Sequence, residues 1–317
     1  MVRHFVDLFD VNTHEAEELL RRAAILKEQH ARGIREPHLP RRTLGLIFEK
    51  PSLRTRVSFQ AAITQLGGAS IFLRDKDVGM GSRETTADFA RVLSQYVDVL
   101  ALRTYAHATV EELARHASVP VINALSDASH PCQAMADMLT IQETFGRLDG
   151  INLVFVGDGN NVARSLALAA GLLGVQFALA APPGYEFPDD FREAYRRRFP
   201  EIPLVVDHDP LNAVMGADVV YTDVWASMGQ EHEAAERRET FAPFQVNSRL
   251  FGQAKKGSIF LHCLPAHRGE EVTSDVLDGP QSRVIEQASN RMHFQKALLL
   301  WLLLDEWPES LDSPVTN

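Results

Sequence analysis

The chain has 317 residues, too many for one ordinary core, so two domains of about 150 residues each are expected. Its 45% hydrophobic and 23% charged residues are ordinary for a soluble globular protein, and a formal charge of −10 with no basic stretch to offset it argues against a nucleic-acid partner. The longest apolar run, Ala297 to Leu304, is too short for a membrane span, Met1 to Asp7 lacks a signal-peptide core, and Cys132 and Cys263 have neither disulfide nor metal-ligand spacing, so a reducing cytoplasm is the expected setting.

In chain order, apolar runs at 43–48, 69–73, 98–103 and 119–124 read as buried strands, with helical patterns near 53–66, 84–95 and 109–117 between them. Residues 131–145 read as a helix. The pattern restarts at Ile151, with strands expected at 151–156, 175–180, 203–206, 217–222, 257–262 and 283–287. A last helix near 290–305 is too apolar for solvent and must return to an earlier surface. This alternation predicts an α/β fold of two domains, each a parallel β-sheet flanked by helices, joined by interdomain helices. The domains are expected over 1–145, completed by 290–317, and over 146–289. Ligands in such folds sit beyond the C-terminal ends of the strands, so the residues there carry the functional argument.

Beyond the first strand, Ser52-Leu53-Arg54-Thr55-Arg56 sits where a helix should begin, with Ser52 at the N-cap and Arg54 and Thr55 in the first turn. Basic side chains are unfavourable at the positive end of a helix dipole. A bound phosphate supplies a reason for them, because it takes hydrogen bonds from free backbone N–H groups, hydroxyls and forked guanidiniums together. Arg103 ends a second strand, and His130 and Gln133 flank a helix start at Pro131. An imidazole, an amide and Arg103 there suit a carbonyl held beside the phosphate.

In the second half, Gly157-Asp158-Gly159-Asn160-Asn161 has the start of a dinucleotide fingerprint but lacks its third glycine; Asn161 suggests a polar small molecule instead. Asp223 ends a strand and reads either as a helix cap or as a carboxylate that receives an amine. Cys263 follows another strand between His262 and Leu264-Pro265, where it reads as a buried hydrophobe or a group facing a ligand. Asn290-Arg291 opens the last helix.

Together these segments resemble the ornithine carbamoyltransferase family. The resemblance runs through Phe48 to Arg56, His130-Pro131-Cys132-Gln133, Gly157 to Asn161, Asp223-Val224-Trp225-Ala226-Ser227-Met228-Gly229 and His262-Cys263-Leu264-Pro265, and covers nearly the whole chain. It implies a carbamoyl-phosphate domain and an ornithine domain. Carbamoyl phosphate would be held by Ser52, Leu53, Arg54, Thr55, Arg103, His130, Gln133 and Arg291, and L-ornithine by Asn161, Asp223, Ser227, Met228, Cys263 and Leu264. Arg54, Arg103, His130 and Cys263 would act in catalysis, with no metal and no organic cofactor. The resemblance also implies a homotrimer or a multiple of trimers, and a cis Leu264-Pro265 bond.

Two positions depart from the family pattern: Leu53 replaces a threonine, and Gly79 stands where many relatives carry a glutamine. Each is expected to weaken carbamoyl-phosphate binding by about 1 kcal/mol, one hydrogen bond. Other readings are a transcarbamoylase for putrescine or an N-acylated ornithine, a nicotinamide-dependent dehydrogenase suggested only by Gly157-x-Gly159, and a non-catalytic binding paralogue.

Overall fold

The computed structural model describes residues 2–74, 79–226 and 231–312. The chain divides into two compact units, Met1–Leu139 with Ser289–Asn317, and Thr140–Ala288. Among the described residues, no helix is long and apolar enough to cross a membrane.

In the first unit, β1 (Thr43–Phe48), β2 (Ala69–Arg74), β3 (Val99–Arg103) and β4 (Val121–Leu125) form a parallel sheet in the order β2-β1-β3-β4. All five residues of β3 are buried, which is why it reads as a continuous apolar run with no alternation. Ile47, Leu100, Leu102 and Val121 pack with Phe89, Val110 and Leu113 in one core cluster. Three of the helices are α2 (Leu53–Gln65), α3 (Thr86–Leu93) and α4 (His107–His116). The N-terminal segment lies beside β4, where Phe5 N–H donates to Val121 O at 2.8 Å and Asn123 N–H donates to Phe5 O at 2.8 Å.

The second unit has β5 (Asn152–Val156), β6 (Gln176–Ala180), β7 (Val205–Asp207), β8 (Val219–Thr222) and β9 (Ile259–His262) in the order β7-β6-β5-β8-β9, all parallel. Starting from β5 the chain winds outward to β7, then crosses back to β8 and β9 on the other side. Each sheet therefore has a switch point, between β1 and β3 in the first unit and between β5 and β8 in the second, where loops diverge and leave a crevice. Helix α5 (Pro131–Phe145) carries the chain out of the first unit, and α6 (Asn161–Leu173) follows β5.

The expected strand at 283–287 is instead the start of a helix running Val284–Leu303. Its only β-bridge to the sheet edge among the described residues is the isolated one between Ser282 and Phe260. Phe260 N–H donates to Gln281 O and Arg283 N–H donates to Phe260 O, both at 3.0 Å, before the helix takes over. Val284 is buried but Ile285 is 71% exposed, so the short apolar pair there marks a helix turn with one face covered. The helix near 13–31, which the apolar runs did not suggest, is α1 (Thr13–Ala31); its signal was the capping box of Asn12 and Glu15, in a segment whose charges mask its apolar face.

The last helix returns to the first unit from Ser289 onward. Its face is not only apolar: Leu298, Leu299 and Leu300 are buried beside His293 and Lys296. Burial, reinforced by Lys296 and His30, lowers the His293 pKa to about 3, and burial with Arg35 nearby lowers Lys296 to about 8. Unfolded His293 takes up its proton at 6.5, whereas folded His293 does so only at about 3. The stability it carries is therefore complete above pH 6.5 and is lost progressively as pH falls toward 3. His293→Phe should shrink the drop in urea midpoint between neutral and mildly acid buffer; an undiminished drop would place the acid sensitivity elsewhere.

Candidate functional site

The first unit gathers its polar groups at the switch point. Ser52 caps α2, its hydroxyl accepting from Thr55 N–H at 3.2 Å. Thr55 is 1% exposed, and its Oγ1 accepts from Arg291 Nη2 at 2.7 Å. The other arm of the same guanidinium donates to Gln133 Oε1, and Nη1 lies 3.3 Å from His130 Nε2. A guanidinium only donates, so Nε2 of His130 accepts and the ring proton sits on Nδ1. Gln133 is fixed in turn by donating to Asp137 Oδ1 at 2.8 Å. Two segments, 52–55 and 130–133, thus meet through Arg291, which the sequence places more than 150 residues from either.

Burial first, then the charges of Arg291 and Arg103, push the His130 pKa well below 6.5, so the imidazole is neutral at physiological pH. Arg103 is buried at the end of β3, and its carbonyl accepts from Glu49 N–H at 2.8 Å, tying the ends of β1 and β3 together. Glu49 also accepts from Tyr105 N–H at 2.8 Å and from the Thr104 hydroxyl. The arginines of the Ser52–Arg56 segment divide. Arg54 sits half-buried in the first turn, whereas Arg56 lies over the Phe72 ring at 3.8 Å and donates to Gln60. Arg56 is a surface side chain resting on β2. Cys132 is wholly buried with its thiol near Asn123 O, and burial lifts its pKa to about 12, which makes it a packing residue.

Leu53 is 76% exposed at the first position of α2, so its side chain fills no core. Threonine fits there without repacking, and if the carbamoyl phosphate implied by the family resemblance binds at this helix start, Leu53→Thr should tighten it about fivefold, the effect of one hydrogen bond; calorimetry showing no gain would set the residue apart from that expected site. Gly79 differs. Its φ is +67°, and a Cβ there would come within 2.6 Å of the Arg83 side chain, so a glutamine is strained in this backbone. The other loop positions next to it, Asp77 and Val78, lie outside the described residues.

In the second unit the polar groups again follow the strands. Asn160 caps α6, accepting from Val162 N–H at 2.9 Å and Ala163 N–H at 3.0 Å, and its Nδ2 donates to Asp223 Oδ2 at 3.2 Å. The Cys263 thiol donates to the other oxygen, Oδ1, at 3.0 Å. Asp223 is thus the carboxylate at the switch point, 7% exposed, and among the described residues it caps no helix. Asn161, the first residue of α6, has Oδ1 turned to Val162 N–H at 3.0 Å. Leu264 has φ +58° and precedes a cis bond to Pro265. Ser227 and Met228 lie outside the described residues.

Several positioning groups escaped the sequence reading. Arg237 is buried and bridges Asp158 Oδ2 at 2.6 Å, Trp225 O at 3.0 Å and Glu233 Oε2 at 2.8 Å. Burial raises the Asp158 pKa, while Arg237 opposes that rise. Nothing distinguished Arg237 from its charged neighbours in Glu236-Arg237-Arg238-Glu239. His262 lies fully buried, with Nε2 at 3.2 Å from Glu271 Oε1 and Nδ1 accepting from Leu264 N–H at 2.8 Å. That pair of contacts fixes the ring's tautomer and braces the turn that carries Cys263.

Residues 3–143 match the family described as aspartate/ornithine carbamoyltransferase, carbamoyl-P binding domain, and residues 149–302 match its Asp/Orn binding domain. An ornithine carbamoyltransferase of Anoxybacillus flavithermus is 53% identical over 307 residues, covering 95% of this chain and 96% of the relative. One of Thermococcus kodakarensis is 51% identical over 301 residues, 94% of this chain and 95% of the relative. The solved ornithine carbamoyltransferase of Pyrococcus furiosus superposes with a TM-score of 0.92 at 50% identity, covering 95% of this chain and 97% of that one.

Proposed function

We propose that this chain, which belongs to the aspartate/ornithine carbamoyltransferase family, transfers the carbamoyl group of carbamoyl phosphate to the δ-amine of L-ornithine, giving L-citrulline and phosphate. The observation that carries the choice of acceptor is Asp223, a buried carboxylate held open at a sheet switch point by Asn160 and Cys263. It suits a substrate that presents an amine.

Carbamoyl phosphate is a small dianion, and the first unit supplies cations and hydroxyls to match. Arg54 and the Ser52–Thr55 turn, with the Leu53 backbone N–H, neutralise the phosphate as it departs. Arg291 and Gln133 fix its orientation. Arg103, the Thr55 hydroxyl and His130 stabilise the oxyanion that develops at the carbamoyl carbon. Thr55 already accepts from Arg291, which leaves its own proton available to donate.

The nitrogen must attack uncharged, although a free alkylamine has a pKa of about 10. Asp223 and Cys263 orient it, with Leu264 beside them; Asn161, Ser227 and Met228 hold the rest of ornithine. A new C–N bond forms as the C–O bond to phosphate breaks, and the amine proton leaves with the phosphate. Cys263 acts as an orienting group, so Cys263→Ala should slow turnover about 10- to 100-fold without abolishing it; a trapped carbamoyl-cysteine adduct on the unsubstituted enzyme would overturn that role.

The assembly that fits this reading is a homotrimer or a multiple of it, to be checked by light scattering against the 35.3 kDa chain. The decisive assay is citrulline formation from carbamoyl phosphate and ornithine, with putrescine, N-acetylornithine and aspartate in parallel. Product with ornithine alone supports the proposal. Product only with another amine overturns the reading of Asp223.

A further inference from the structure

Outside the groups already described, the turn after Cys263 brings three ligating side chains of the second unit together. Gly269, at φ +87°, reverses the chain, and its N–H donates to Val272 O at 2.9 Å. His267, Glu270 and Glu271 consequently share one side of the turn, with their ligating atoms within 4.8 Å of one another. Nδ1 of His267 lies 3.9 Å from Glu270 Oε2 and 4.0 Å from Glu271 Oε2.

The two carboxylates are held in the same asymmetric way. Oε1 of Glu270 accepts from Arg238 Nε at 3.1 Å. Oε1 of Glu271 accepts from His267 N–H at 2.5 Å and faces His262 Nε2 at 3.2 Å. Each Oε2 is turned toward the imidazole. Glu271 is 0% exposed, and its Oε2 has no hydrogen-bond partner. A buried carboxylate oxygen left in that state is costly. At 3.9 and 4.0 Å the gaps to His267 exceed a hydrogen bond. They come close to the spacing of about 3.3 Å between donors on a tetrahedral cation bound at 2.0–2.2 Å. The His267 side chain is 55% exposed and can rotate to close the difference.

We infer that His267, Glu270 and Glu271 form a binding site for a divalent first-row transition-metal cation, with zinc the best match. One imidazole nitrogen with two carboxylates suits zinc and its neighbours, whereas calcium and magnesium take oxygen ligands alone. The site is separate from Asp223 and Cys263, and it shares Glu271 with His262. The sequence hides it because Glu270-Glu271 reads as an ordinary acidic pair.

Asp223, His262 and Cys263 also bring ligating atoms within 4.8 Å, so the binding test needs a background that lacks the thiol. Zinc chloride titrated calorimetrically into the full-length Cys263→Ala protein should bind at one ion per chain. Adding His267→Ala or Glu270→Gln to that background should weaken binding about tenfold or more. Both positions are at the surface, and an unchanged urea midpoint without zinc confirms that the fold is intact. Binding that is unaffected by His267→Ala, or absent from Cys263→Ala, overturns the inference. Independently of any variant, zinc-edge anomalous scattering from crystals of the unsubstituted protein should peak beside His267 Nδ1; no peak there also overturns it.

Discussion

Arg291→Ala should lower kcat/KM for carbamoyl phosphate by about 10²–10³-fold, the loss typical of a preorganised donor aimed at developing charge. The guanidinium is buried and engages Thr55 and Gln133 through separate arms, with His130 within 3.3 Å. Removing it takes away the cation proposed to face the phosphate and leaves three polar side chains without the group that aligns them. Lysine restores the charge but not the fork, so Arg291→Lys should recover only part of the loss. A second readout separates this from simple misfolding. Arg291 is one of the charges that depress the His130 pKa, so in Arg291→Ala that pKa rises toward 6.5 and the acid limb of kcat/KM moves to higher pH. Steady-state kinetics across pH test both statements. A variant that loses less than tenfold, with an unshifted acid limb, would remove Arg291 from the phosphate site.

Asp223→Asn should reduce kcat/KM for ornithine by about 10²–10³-fold while changing the affinity for carbamoyl phosphate less than about twofold. The substitution keeps size and shape but replaces a charge with a neutral amide. The new amide can still offer an oxygen to the Cys263 thiol. Its nitrogen then faces Asn160 Nδ2, which now donates to Asp223 Oδ2 at 3.2 Å, so donor meets donor. The proposed amine site loses its charge and one of its supports together. Initial rates with ornithine varied, set beside calorimetry with carbamoyl phosphate alone, make the comparison. Equal losses for both substrates would mean that Asp223 supports the fold in place of binding the amine.

Much of this arrangement is legible in the chain, for identifiable reasons. Parallel strands buried on both faces produce apolar runs that stand out, and β1, β3, β5 and β8 were readable as such. Ser52, Arg103, Asp223 and Cys263 were singled out because they follow those runs, where such sheets place ligands. The convergence of Arg291 on Thr55, Gln133 and His130 was not derivable from spacing, since it depends on where the last helix returns. The reading of 283–287 as a strand failed because a two-residue apolar pair serves a sheet edge and a helix turn equally well. Arg237 and Glu271 stayed hidden because burial of a charge is a property of the fold, and neither residue type nor neighbours announce it.

The discontinuity of the first unit has a consequence for how the molecule is made. Residues Thr140–Ala288 form one uninterrupted stretch, whereas Ser289–Asn317 belongs with Met1–Leu139. On the ribosome the inserted unit has all its strands before the last helix emerges, so it can fold as a whole while the earlier unit still waits for its final piece. Arg291 is in that piece. A nascent or prematurely terminated chain therefore lacks the guanidinium that organises the anion cradle. A chain that stops before Arg291 should therefore lack the proposed carbamoyl-phosphate site, however completely Thr140–Ala288 has folded.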